Sequence, residues 1–153
     1  MNKKPTFDLA AAHKYFSAEC FNNAWDLIDK KGRTAEEDEQ MLRLSLASTW
    51  HWSQREDCTQ ANLAIGYWQT SRIYALLDQV DNARRYGQLS LDACQEDQPF
   101  LLGYAYEALA RAESLAGNNQ KITDYLQKAR DLAEKVPEAD DKKLLLNDLD
   151  TIH

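Results

Sequence analysis

The chain matches itself at an offset of 39 residues. Tyr67 meets Tyr106, Arg72 meets Arg111 and Leu76 meets Leu115. Tyr86 then meets Tyr125, Gln88 meets Gln127 and Asp92 meets Asp131. Small or apolar pairs fall in the same register: Ser71 with Ala110, Ala83 with Ile122, Ser90 with Ala129. A period of this size is one supersecondary unit, which cannot bury its apolar face alone and must stack on a neighbour. The unit is helical. Valine occurs only at 80 and 136, and no run alternates apolar with polar residues as a half-buried strand would. Ala, Leu, Glu, Gln, Lys and Arg dominate instead.

Helix punctuation divides the chain into seven segments. The first runs from about Asp8 to Asp29, with Phe16, Cys20, Trp25 and Ile28 along one stripe and Gly32 as the stop. Thr34 and Glu37 make a capping box for the second, which runs to about Arg55 with Met41 and Leu44 in its stripe. Thr59 caps the third, to about Leu77, and Asp81 the fourth, to about Cys94. Asp97 and Pro99 open the fifth, which carries Leu102, Tyr106, Leu109, Ala112 and Leu115 and breaks at Gly117-Asn118-Asn119. The sixth spans about Lys121 to Lys135, and Pro137 separates it from the seventh, about Ala139 to Thr151. Short connections imply antiparallel hairpins. No linker is long enough to split the 153 residues, so one domain is expected: a hairpin over 8–57, repeat-like hairpins over 59–95 and 98–135, and a final helix over 138–152.

Charge narrows the partners. Eighteen basic against 25 acidic residues leave a net charge of -7. That disfavours nucleic acid and anionic membrane surfaces. No run approaches a membrane span, and no apolar core follows Lys3-Lys4, so a cytoplasmic location is expected. Cys20, Cys58 and Cys94 are odd in number and widely spaced, which argues against a disulfide or zinc framework. The histidines at 13, 51 and 153 lack the Glu-x-x-His partners of a bundle metal site, except Asp150 with His153 at the chain end. His13 and Cys20 are about 10.5 Å apart along one helix, too far for a thiolate–imidazole pair. No phosphate loop or nucleophile elbow is present, so neither cofactor, metal nor catalysis is expected.

In the repeat region the chain resembles the tetratricopeptide family. Tyr67, Ser71, Tyr74, Ala83 and Ser90 match its pattern of aromatic and small residues in one copy, and Tyr106, Ala110, Gly117 and Ala129 in the next. The likeness covers 62–135 reasonably and 8–57 poorly. Asp78 replaces the turn glycine, Gly87 stands where a bulky residue is usual, and the period is 39 rather than 34. The resemblance implies an all-α, short right-handed superhelix of stacked hairpins. The last helix, with its polar face of Asp140, Asp141, Lys143, Asn147, Asp148 and Asp150, would be the solvating cap. It also implies a non-catalytic module that binds a protein or peptide. The expected state is a monomer or a homodimer, the latter the basis of a purely structural reading in which an exposed helix face dimerises.

Carried onto this chain, the family's concave positions are Trp68, Arg72 and Ala75, then Tyr104, Glu107, Arg111 and Ser114. Arg72 and Arg111 fall on equivalent sites of adjacent helices and could converge on a partner's acidic group. The alternative is an acid within the fold, such as Asp26 or Glu107. A second constellation is Thr49-Trp50-His51-Trp52-Ser53-Gln54-Arg55. Trp50 and Trp52 point to different helix faces, so only one enters a given core stripe. With Trp68, the side chains of His51, Trp52 and Arg55 could line a small-molecule pocket, the basis of a sensor or enzyme reading. Alternatively the tryptophans cement the junction between the first hairpin and the repeats.

Overall fold

The computed structural model describes residues 4–153. Among them are seven α-helices and no strand. They are α1 Leu9–Asp29, α2 Ala35–Ser53, α3 Gln60–Leu76, α4 Val80–Ala93, α5 Pro99–Ala116, α6 Asn119–Ala133 and α7 Ala139–Leu149. None of these helices is long and apolar enough to cross a membrane.

Local chemistry sets most of the ends. Thr34 and Glu37 form a reciprocal capping box, and Thr59 forms another with Asn62. Asp8 and Asn118 accept from the backbone of Ala11 and Lys121, so they cap α1 and α6. Pro99 occupies the first position of α5, where its missing N–H costs nothing. Asp81 is not the cap of α4. That helix begins at Val80, so Asp81 lies inside its first turn and pairs with Arg84 at 3.3 Å.

Consecutive helices pack as pairs: α1 with α2, α3 with α4, α5 with α6. α3 also packs on α2 and α5, α4 packs on α5, and α7 closes over α5 and α6. The core is divided accordingly. Ala24, Ile28, Met41 and Ile73 gather where the first pair meets α3. Ala75, Ala83 and Ala112 join the second pair to α5. Tyr104, Ala129, Ala133, Leu145 and Leu149 seat α7. The alanines let backbones approach closely. Gly103 goes further, since a Cβ there would stand 2.5 Å from Leu145 Cδ2.

Contacts recur at the 39-residue offset. Tyr67 faces Tyr86 with ring centroids 6.2 Å apart, and Tyr106 faces Tyr125 at 6.0 Å. Gln88 donates to Asp92 and Gln127 to Asp131, each at 2.8 Å. The turns match as well. Asp78 and Gly117 both adopt left-handed backbone, with φ of 56° and 68°. The next N–H closes each turn, Gln79 onto Tyr74 O at 2.9 Å and Asn118 onto Glu113 O at 3.1 Å. This is the six-to-one bond that ends a helix through a left-handed residue. Asp78 thus takes the conformation for which glycine was expected.

Candidate functional site

Glu107 sits in the middle of α5 with no exposed surface. A carboxylate there is stable only if donors replace its water. Three side chains supply them. Trp68 Nε1 donates to Oε2 at 3.0 Å, Arg72 Nη1 to Oε1 at 3.2 Å, and Arg111 Nε to Oε1 at 2.8 Å. Trp68 and Arg72 lie one turn apart on α3, and Arg111 one turn past Glu107 on α5. The two arginines therefore do converge on one carboxylate, and it belongs to the chain itself. Arg111 also donates to Thr151 Oγ1 at 2.9 Å, tying the site to the segment after α7. Tyr104 O–H donates to Asp148 Oδ2 at 2.7 Å. Burial, then Asp148, pushes the Tyr104 hydroxyl well above the usual phenol range.

Two of the five expected contact residues are thus not surface groups. Glu107 is fully buried and Tyr104 is 8% exposed, with their polar atoms turned to internal partners. Arg72 and Arg111 keep about a fifth of their side-chain surface. Arg72 makes no hydrogen bond through Nε or Nη2 among the described residues.

Beside this network opens a half-enclosed cavity of about 230 Å³. Its walls are Ala64, Ile65 and Trp68 of α3, Phe100, Leu101 and Tyr104 of α5, Ser90 of α4 and Leu144 of α7. The aromatic walls brace each other: Trp68 and Phe100 each lie with ring centroids 5.0 Å from Tyr104, both near edge-on. Every polar side chain of the lining is already engaged. Trp68 donates to Glu107, Tyr104 to Asp148, and Ser90 to the Ala64 carbonyl at 2.9 Å. What remains for an occupant is apolar surface, with Ile65 and Leu144 exposed at the rim.

The second constellation disperses. Trp52 lines another cavity of about 240 Å³ with Ala18, Phe21, Asn22, Asn62, Ile65 and Gly66. Neither cavity is lined by His51 or Arg55. Arg55 stacks 3.8 Å over the Trp52 ring, grips Asp57 through two bonds, and donates to Ser17 Oγ at 2.9 Å. Trp50 is 56% exposed, and Trp52 is the half-buried partner at the junction of α1, α2 and α3.

Two arrangements carried no signal in the sequence. His51 meets His13 across α1 and α2, Nδ1 to Nδ1 at 2.8 Å. Burial and the neighbouring His13 lower the His51 pKa. Glu113, nearly inaccessible, takes a two-pronged bond from Arg84 at 2.7 and 2.9 Å. Arg84 holds the Glu113 carboxyl below its ordinary range. Neither pair has a spacing that any motif marks. No cysteine is activated: burial raises Cys20 and Cys58, and pushes Cys94 up to about 11. No three metal-ligating side chains gather among the described residues. No family model, curated protein or solved structure matches the chain.

Proposed function

We propose that the chain is a non-catalytic helical-repeat module that binds a protein or peptide, with the cavity between α3, α5 and α7 receiving an apolar side chain of the partner. The observation that carries this reading is the satisfied lining. A site whose polar groups are all spent on the fold penalises a polar guest, which would lose water and gain no partner. Its aromatic walls offer a large apolar area at low entropy cost. Beyond Trp68, the free edge of Arg72 offers a bond to an acidic group of the same partner. The recurrent tyrosine pairs and left-handed turns support a stack of equivalent hairpins, similar to a short tetratricopeptide superhelix with α7 as its cap. Such folds host many functions, so the reading rests on the cavity rather than the architecture.

Alanine at both Arg72 and Arg111 is not a clean test. It strands Glu107 as an unpaired buried charge, a loss of about 3–5 kcal/mol. The rim is better placed. A displayed random-peptide library selected on the wild type should enrich sequences sharing an apolar anchor. Those peptides should bind Ile65→Lys and Leu144→Lys at least about tenfold more weakly, the effect of about 1.4 kcal/mol. Absence of enrichment, or equal binding to both variants, would reject the reading.

A small-molecule role is the second reading, favoured by the volume itself. A closed cavity of about 150 Å³ already accepts a benzene ring. Quenching of the tryptophan emission by free aromatic compounds, absent in both Leu101→Phe and Trp68→Phe, would move the assignment there.

A further inference from the structure

We propose that His13 and His51 form a two-imidazole clamp for a divalent transition-metal ion, Cu²⁺ foremost, on the face shared by α1 and α2. The pair lies apart from the cavity and is independent of the reading above.

The geometry is the first ground. Copper and nickel favour square or tetragonal coordination by imidazole nitrogen. With metal–nitrogen bonds of about 2.0 Å, two ligands on adjacent corners stand about 2.8 Å apart. The His13 and His51 Nδ1 atoms are 2.8 Å apart, each on its own long helix. A tetrahedral ion would need roughly 3.3 Å and some parting of the helices. The two nitrogens are thus close enough to share one ion after a tilt, and the general affinity order of imidazole sites places Cu²⁺ ahead of Ni²⁺ and Zn²⁺.

The second ground is freedom. Without metal, one Nδ1 carries the hydrogen and the other accepts it. Neither ring has another hydrogen-bond partner among the described residues. Binding requires both hydrogens on Nε2 and a tilt that aims both lone pairs at one ion. No polar tether opposes that tilt. Both rings are half-exposed, so the remaining coordination positions open to water.

The surroundings are the third. Trp50 packs on both rings, with centroids 5.3 Å from His13 and 4.8 Å from His51, and Phe16 lies 5.4 Å from His51. These aromatics flank the imidazoles with largely apolar surface. The titratable group whose charge acts on His51 is His13. Arg55, one turn past His51, is held by Asp57 and Ser17.

Trp50 reports directly, since Cu²⁺ and Ni²⁺ quench a neighbouring indole. The chain is titrated with CuCl₂, NiCl₂ and ZnCl₂ separately at pH 7.5, by fluorescence and calorimetry. One equivalent of Cu²⁺ should bind, with Zn²⁺ weaker. His13→Ala and His51→Ala should each lose at least about tenfold in affinity, because either removes the chelate. His153→Ala should lose nothing, and Trp50→Phe should keep the heat while losing most of the quench. Binding should weaken as the solution is acidified, because protons compete with the metal for imidazole nitrogen. Far-UV circular dichroism checks the alanine variants, and His13→Gln replaces any that fails to fold. Binding unchanged within threefold in the histidine variants, binding unchanged at pH 5, or no saturable Cu²⁺ binding would each overturn the clamp.

Discussion

Glu113 and Glu107 are both buried on α5, and each is answered by arginine. For Glu113 the consequence is a pH dependence. Its folded pKa is lowered by Arg84, so the pair contributes stability above the unfolded carboxyl value, about 4.3. That contribution is lost as pH falls through the lower folded value. Glu113→Gln should therefore be less stable than wild type at pH 7 and lose the difference below about pH 4. Denaturant melts across that range check it. Residues of this site differ in how far the sequence reveals them. The 39-residue register placed Arg72 and Arg111 on adjacent helices, and Glu107 stood among their candidate acids. Burial was the missing quantity. Periodicity shows which residues share a face, but not that α7 and its following segment cover it. Hence Glu107 and Tyr104 read as surface residues and are core. The His13–His51 contact depends on how far two helices slide past each other, which neither helix encodes alone.

Helix ends follow short-range rules, and there the sequence was most legible. Both threonine caps and the proline at the start of α5 depend only on neighbours within a turn. Asp81 misled because α4 starts at Val80 with no side-chain cap, leaving aspartate to serve Arg84. The paired turns allow a test at this scale. Asp78 and Gly117 occupy the same left-handed conformation, which a β-carbon disfavours. Asp78→Gly should stabilise the chain by up to about 1 kcal/mol, and Gly117→Ala should destabilise it by about 1 kcal/mol. Thermal melts of the two variants should shift in opposite directions. Shifts of the same sign would mean that contacts outside the turn decide.

The molecule as a whole depends on α7 for closure. Leu145 and Leu149 are fully buried, and Leu145 fills the space that Gly103 leaves open. Leu145→Ala should cost about 2–5 kcal/mol in chemical unfolding. Gly103→Ala should also destabilise, by pushing α7 outward, and the two changes together should cost less than their sum. Additive costs would mean that the two residues do not share one seat. The all-helical class and the order of seven segments were readable from composition and punctuation. The cavity was not, because it forms where four helices fail to fill the space between them.

The core is a chain of small clusters rather than one mass, each bridging neighbouring helices. In such a body one cluster can fail while the others hold. Drawn out by its two ends, it should lengthen in discrete steps, beginning with α7, which packs chiefly on α5 and α6.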